Sequence, residues 1–299
     1  MKIIDFIFAG RPMLLLPTWS FYLLALKFLH GNSDFGIDIK LILAGITLIT
    51  IGAYFINQIY DFETDRINKK LGFLQQGLIN KSEMMAAYIV VSIFPLIAGF
   101  AVDIKIGLIM IVMILLGFAY SVPPSRLKDR PLGGLIANAM AYGVLVPLSV
   151  PGFMDSADIS RIYIVICFFM MVAAGYLLTV IPDREGDRKA GKLTLATQWS
   201  DRPIILLAFA FLLVALYSSF NLNNIFLVIV CSVSIVLFIL ALLVGTNGVI
   251  LFACKFPILL LSLLAGYYFP TYFVFLLVLV ILTRLYYNRR FGIVYPRLN

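Results

Sequence analysis

The chain of 299 residues is 62% hydrophobic and only 13% charged, and it carries a formal net charge of +8 at pH 7. Soluble domains are about half apolar and a quarter charged, so this composition excludes a water-soluble globule and a disordered chain. It therefore predicts an all-α polytopic membrane protein, because lipid-exposed backbone must satisfy its own hydrogen bonds. The apolar runs are unbroken rather than alternating, which excludes an outer-membrane β-barrel.

Apolar stretches long enough to cross a bilayer follow one another along the chain. Short hinges such as 221–224 separate several of them, and the count is nine or ten. Hydropathy leaves open whether 249–268, which contains Lys255 and Pro257, is one full span. The predicted spans lie at 13–30, 38–58, 84–102, 105–121, 132–151, 159–181, 203–220, 224–244, 249–268 and 270–288.

The basic residues fall mostly on one side of these spans. If the N-terminus is cytoplasmic, the positive-inside rule places the three long polar loops, with their acidic motifs, in the cytoplasm of a cell-membrane protein. The positive charge then reflects topology, and no nucleic-acid partner is expected. The cytoplasmic side carries Lys2, Arg11, Arg66, Lys69, Lys70, Lys81, Arg126, Lys128, Arg130, Arg184, Arg188, Lys189, Lys192 and Arg202, and the other side carries Lys27, Lys40, Lys105 and Arg161.

One acidic motif occurs twice. Residues 61–71 and 183–193 both read Asp-x-Glu-x-Asp-Arg-x-x-x-Lys-Leu, at an offset of 122 residues. An even number of predicted spans separates the copies, so both copies reach the same membrane face. This arrangement predicts a parallel internal repeat about an axis along the membrane normal.

The spacing within each motif has a chemical meaning. Asp61 and Asp65 are four residues apart, as are Asp183 and Asp187, so each pair lies on one helical face. Asn57, one turn earlier, adds an amide oxygen to the first pair. Hard oxygen donors without nearby histidine or cysteine favour Mg²⁺. A single copy would be read as an ordinary solvated helix end, and it is the repetition that favours a metal site.

The loop between the fourth and fifth spans is suited to an anion. Its two adjacent prolines at 123–124 break the helix, and Arg11 adds a further cation at the start of the first span. Such groups suit the oxygens of a phosphate, although a plain positive-inside loop is the alternative. Its hydroxyls at the membrane surface are those of Tyr120 and Ser121, and its positive charges are those of Arg126, Lys128 and Arg130.

Taken together, these motifs resemble the UbiA superfamily of intramembrane prenyltransferases, over at least residues 11–200. The order of the motifs and the number of spans before each one fit that family. The run Tyr-Ser-x-Pro-Pro-x-x-x-Lys is most similar to the chlorophyll-synthase-like and archaeal lipid-prenylating branches. The motifs that carry the resemblance are Asn57-x-x-x-Asp61-x-x-x-Asp65, Tyr120-Ser121 and Asp183-x-x-x-Asp187.

The resemblance implies one integral-membrane prenyltransferase domain over 1–299, with motif 1 at 57–65 and motif 2 at 183–187. The fold would be a bundle of nine, or with the extra C-terminal span ten, transmembrane helices around a central cavity, with two acidic cytoplasmic cap loops. The implied catalytic and Mg²⁺-binding residues are Asn57, Asp61, Asp65, Asp183 and Asp187. The implied contacts of the prenyl diphosphate, geranyl to geranylgeranyl or longer, are Arg11, Arg66, Tyr120, Ser121, Arg126, Lys128 and Lys192.

The implied reaction transfers a prenyl group to a lipophilic acceptor within the membrane, through an allylic carbocation, in lipid or quinone biosynthesis, and membrane lipid is a further implied partner. One departure bears on the acceptor: many relatives carry Asn-x-x-x-Arg-Pro here, whereas Asn68 is followed by Lys69-Lys70-Leu71-Gly72. The alternative function is a multi-spanning transporter that uses the acidic motifs as an ion or anion gate. Against it, the acids cluster at one mouth of the spans and not at mid-membrane.

Overall fold

The computed structural model describes residues 2–31, 36–67 and 72–296, and the regular structure in these ranges is helical throughout, as predicted. Two 3₁₀ turns, Pro12–Leu15 and Leu127–Asp129, and one π-helical segment, Ala139–Leu145, accompany the α-helices. The α-helices are α1 (Lys2–Ala9), α2 (Leu16–His30), α3 (Ile37–Tyr60), α4 (Phe62–Ile67), α5 (Lys81–Val102), α6 (Ile104–Ser121), α7 (Gly133–Asn138), α8 (Val146–Leu148), α9 (Ile159–Thr179), α10 (Arg184–Lys189), α11 (Leu195–Gln198), α12 (Asp201–Asn221), α13 (Ile225–Val244), α14 (Asn247–Tyr268) and α15 (Pro270–Phe291).

Within the described ranges, nine helical stretches are long and apolar enough to cross a membrane, by length and composition. The first of them, Lys2–His30, joins α1, a 3₁₀ turn and α2, and begins well before the predicted 13–30. Helix α14 runs through Lys255 and Pro257, so this stretch is a single helix. The fold class predicted from composition is confirmed.

The predicted span at 132–151 differs from the others. It forms a shorter apolar run, Gly133–Leu148, in which the π-helical segment lies between α7 and α8. The run packs closely on α9, because a Cβ at Gly143 would lie only 2.4 Å from the Cα of Phe169. Counting this run as a crossing raises the number of spans from nine to ten, the two values that hydropathy leaves open.

The chain divides into two compact units. In the first unit, α3 packs against both α5 and α6. Glycine allows the close approach of α5 and α6, since a Cβ on Gly99 would lie 3.0 Å from the Cα of Gly107. The first unit comprises Met1–Trp19, Asp34–Leu127 and Val274–Pro296, and the second comprises Ser20–Ser33, Lys128–Phe273 and Arg297–Asn299.

An apolar cluster of the first unit supports the end of α3 that leads into the first acidic motif. It joins Phe8 of α1, Phe55 of α3, Phe73 after the motif and Tyr287 of α15, all of them buried. Large aromatic side chains bury a large apolar area per residue. The chain on both sides of the first motif is therefore anchored to one core.

In the second unit, α9 packs against α12, α14 and the π-helical segment. Its C-terminal half contributes Ala173, Ala174, Leu177 and Leu178 to a buried core that α12, α13 and α14 complete. Small and aliphatic side chains at this spacing line one face of a helix. The second acidic motif follows directly after this well-packed helix.

Candidate functional site

The first acidic motif lies on three successive helical turns. The N–H of Asp61 donates to the carbonyl of Asn57 at 2.9 Å, and the N–H of Asp65 donates to the carbonyl of Asp61 at 2.8 Å. Each bond spans four residues, as in an α-helix, although Asp61 itself lies at the junction between α3 and α4. The three side chains therefore share one face, as their spacing predicts.

Two predicted site residues meet between α3 and the end of α6. The amide nitrogen of Asn57 donates to the hydroxyl of the buried Ser121 at 3.3 Å. This bond uses the amide nitrogen and leaves the oxygen, the atom that can ligate a cation, outside the bond. The packing of α3 on α6 thus orients Asn57 for the ligand role implied by its motif.

A cation from the following loop reaches the first motif. The guanidinium of Arg126 lies 3.6 Å from Asp61, whose side chain is only 13% exposed. Arg126 has a positive φ of 34°, and the preceding Ser125 stabilises this turn by donating its hydroxyl to the carbonyls of Ala119 and Val122, both at 2.9 Å. The turn therefore points a predicted substrate-binding arginine at a predicted metal ligand.

The remaining predicted residues of the first unit have different surroundings. Arg11 adopts a left-handed conformation before the Pro12–Leu15 turn, and its charge acts on Tyr295. Burial raises the pKa of Tyr295, and the positive charge of Arg11 partly opposes this. Arg66 pairs with Glu63 at 2.9 Å on the exposed surface of α4, and Tyr120 is half-buried at the end of α6.

The second motif, in the second unit, begins differently from the first. Asp183 is the exposed residue that precedes α10, and the N–H of Asp187 donates to its carbonyl at 2.9 Å. Between them, Arg184 turns back to the following segment, where it donates to the carbonyl of Ala196 at 2.5 Å and pairs with Asp201 at 2.5 Å. The arginine thereby ties the motif to the start of α12.

Asp187 lies deeper than Asp183 and is held on both carboxylate oxygens. Lys192 lies 3.3 Å from one oxygen, and the Thr194 hydroxyl donates to the other at 3.4 Å. Lys128, the predicted substrate contact from the preceding loop, is buried at 8% exposure. Each motif is thus accompanied by a cation, Arg126 in the first unit and Lys192 in the second.

The donor chemistry of both motifs fits a hard divalent cation. Among the described residues, no group of three or more His, Cys, Asp and Glu side chains converges as a ready-made metal site. Each motif instead offers two carboxylates, and Asn57 adds an amide oxygen to the first. One or two carboxylates completed by phosphate oxygens and water are the usual environment of Mg²⁺ in phosphate sites.

The sequence pattern does not predict the contacts of two residues near these motifs, Gln58 and Asp129. Gln58, buried beside the first motif, donates from its amide to the carbonyl of Ala9 at 2.9 Å and so ties α1 to α3. Asp129 lies 3.7 Å from Lys192. The one available signal was that Asp129 is the only acid within the basic run 126–130. The departure at 68–71 from the family pattern lies outside the described residues.

The chain is similar to known proteins in sequence. The model of the UbiA prenyltransferase family matches residues 14–250. Homogentisate phytyltransferase of Synechocystis sp. is 25% identical over 232 residues, which are 72% of this chain and 75% of that protein. Chloroplastic homogentisate solanesyltransferase of Arabidopsis thaliana is 31% identical over 181 residues, which are 56% of this chain and 45% of that protein. The chain spans less than half the length of the plant relatives that it matches.

A solved structure shares the fold. The UbiA homolog from Archaeoglobus fulgidus bound to GPP and Mg²⁺ superposes with a TM-score of 0.71 at 20% sequence identity. The alignment covers 89% of this chain and 98% of that one. The helical architecture described above is therefore that of the solved protein.

Proposed function

Because the chain belongs to the UbiA prenyltransferase family, as its motifs predict, we propose that it transfers a prenyl group from an allylic prenyl diphosphate to a lipophilic acceptor, with Mg²⁺ as cofactor. Its apolar helices and its family make it a multi-pass membrane protein. The observation that carries the proposal is the pairing of each acidic motif with a cation, Arg126 with Asp61 and Lys192 with Asp187. Carboxylates suit the metal, and the cations suit the diphosphate that it carries.

In this proposal the residues that would hold the metal are Asn57, Asp61 and Asp65 of the first motif and Asp183 and Asp187 of the second. When bound, Mg²⁺ neutralises the diphosphate and improves it as a leaving group. The solved Archaeoglobus homolog, which binds GPP and Mg²⁺, supports Mg²⁺ as the metal.

The basic side chains of the site would then bind the diphosphate oxygens that do not coordinate the metal. Arg126 and Lys192 already lie beside motif carboxylates. Lys128 brings a largely buried charge, which solvent screens less than an exposed one. The full proposed set of substrate contacts is Arg11, Arg66, Tyr120, Ser121, Arg126, Lys128 and Lys192.

The proposed chemistry is an ionisation followed by capture. The C–O bond of the allylic diphosphate breaks, the electron pair leaves with the diphosphate, and an allylic carbocation remains. Positive charge beside a motif, Arg126 at the first or Lys192 at the second, would stabilise the departing anion at the moment when its charge increases. An electron-rich ring or an alcohol in the bilayer then attacks the cation and releases a proton.

The placement of charge supports a topology for the reaction. The basic clusters accompany both acidic motifs and the loop between them, so the positive-inside rule places these segments in the cytoplasm. This orientation requires that Gly133–Leu148 crosses the membrane, because an even number of crossings must separate the motifs. Water-soluble diphosphate ends would then meet the site from the cytoplasm, and the prenyl chains would extend into the bilayer.

The experiment uses purified full-length protein with labelled prenyl diphosphates of increasing length, Mg²⁺ and a panel of acceptors that includes homogentisate and glycerophosphate lipids. We expect prenylated product and released diphosphate from the wild type, and loss of both in Asp61→Ala and Asp183→Ala. Asp38→Ala is the matched control, because Asp38 is exposed at the opposite end of α3 from the motif. Failure to bind any prenyl diphosphate in the presence of Mg²⁺ would refute the proposal and favour the transporter.

A further inference from the structure

Lys192 lies between two carboxylates of the second unit. Its Nζ is 3.3 Å from Asp187, a proposed metal ligand, and 3.7 Å from Asp129, which no motif includes. The three side chains are between 15% and 20% exposed, so solvent screens their charges only partly. One ammonium therefore has two alternative acidic partners, and only one of them belongs to the proposed metal site.

The backbone brings these three groups together. Gly191 adopts a positive φ of 69°, a conformation that glycine reaches without strain, and the N–H of Lys192 then donates to the carbonyl of Asp187 at 2.9 Å. The N–H of the next residue, Leu193, donates to the carbonyl of Asp129 at 3.2 Å. Asp129 is thus tied to the end of the second motif through its backbone as well as through its side chain.

We propose that Asp129 is a positioning residue for Lys192: when a divalent cation binds Asp187, the carboxylate of Asp129 holds the ammonium of Lys192. The inference rests on the proposed function. A metal ion at Asp187 repels the ammonium of Lys192, and the repulsion grows as the inverse of their separation. Asp129 offers the displaced ammonium a second carboxylate within reach. Lys192 can then leave the metal ligand and still remain beside the site, where it faces the metal-bound diphosphate.

The mechanism predicts opposite effects for the two partners. Asp129→Asn shifts Lys192 toward Asp187, so the lysine competes better with the metal, and we expect Mn²⁺ binding to weaken roughly tenfold, the scale of outer-shell changes at metal sites. Lys192→Met removes the competitor, so Mn²⁺ alone should bind several-fold more tightly. The same lysine variant should raise the KM for prenyl diphosphate, because a diphosphate contact is lost.

The test measures the Kd of Mn²⁺ by electron paramagnetic resonance, on full-length protein in detergent without substrate. The decisive comparison is Asp129→Asn in the Lys192→Met background, where the aspartate should no longer affect the Kd. An equal loss of Mn²⁺ affinity in both backgrounds would overturn the proposal, because Asp129 would then act directly on the metal or on the fold. Thermal unfolding of each variant identifies a damaged fold.

Two further variants keep the experiment decisive. Asp129→Glu retains the charge and should keep the wild-type Kd within a few-fold, even if Asp129→Asn proves unstable. Asp158→Asn is the matched control, because Asp158 is exposed at the opposite end of α9 from the second motif, and it should leave the Kd unchanged. If the wild type binds no Mn²⁺ with or without prenyl diphosphate, the proposed function itself fails. If the wild type binds Mn²⁺ and Asp129→Asn binds it equally well, only this inference fails.

Discussion

The buried carboxylate of Asp5 joins the two ends of the chain and provides a quantitative test of the structure. Its side chain is 4% exposed, accepts a hydrogen bond from Tyr286 at 2.5 Å and pairs with Arg290 at 3.0 Å. Arg290→Leu leaves this carboxylate without its cation. Removal of one partner from a fully buried pair costs about 3–5 kcal/mol. Because Tyr286 still donates a charge-assisted hydrogen bond, we expect the free energy of unfolding to fall by about 2–3 kcal/mol.

The adjacent arginine provides a matched control. Arg289 is exposed on the same turn of α15, so Arg289→Leu should change the free energy of unfolding by no more than about 0.5 kcal/mol. Asp5→Asn should cost less than Arg290→Leu, because the 25% exposed guanidinium can turn to water whereas the buried carboxylate cannot. The double variant should resemble Asp5→Asn alone, since neither buried charge is then left unpaired.

Unfolding in mixed detergent micelles, followed by circular dichroism against denaturant, measures all four variants under one condition. The ordering of the losses is the prediction, with Arg290→Leu the largest. Equal losses for the two arginine variants would contradict the assigned ion pair. Strict additivity in the double variant would show that the two side chains act independently.

Three further outcomes are expected. Gly143→Ala places a Cβ 2.4 Å from the Cα of Phe169 and should lower the free energy of unfolding in detergent by about 1–3 kcal/mol. Gly175→Ala is the control and should not destabilise the protein, because its Cβ would meet open space. Equal stabilities of the two variants would contradict the close packing. Ser125→Ala removes the hydroxyl that stabilises the turn before Arg126. Initial rates should then show a several-fold higher KM for prenyl diphosphate at unchanged thermal stability. An unchanged KM would show that the turn does not depend on the Ser125 hydroxyl. Chelation by EDTA should abolish prenyl transfer and excess Mg²⁺ should restore it, so transfer that persists in EDTA would argue against the metal.

The sequence by itself determines that this chain is helical, membrane-spanning and a member of its family. The thickness of the bilayer requires apolar runs of a particular length, and such runs are visible without any tertiary information. The spacing of Asn57, Asp61 and Asp65 likewise predicts one helical face, and the structure has hydrogen bonds linking these residues on successive turns. Both features are local, because they depend on residues within a few turns of one another.

The tertiary structure decided the contacts between distant parts of the chain. Asn57 and Ser121 were both predicted site residues, but only the packing of α3 on α6 brings them within a hydrogen bond. The predicted span at 132–151 became the shorter run Gly133–Leu148 with a π-helical segment, and hydropathy cannot detect this change because the run stays apolar throughout.

The same holds for the ion pairs that join remote residues. Asp5 and Arg290 are 285 residues apart, and Asp129 and Lys192 are 63 apart, so neither pair leaves a periodic or spaced signal in the sequence. A buried charge needs a partner of opposite charge, and here that partner lies on another element. The packing of the helices decides which residue this is. Local pattern therefore determined the elements and the motifs, whereas packing decided which charges meet.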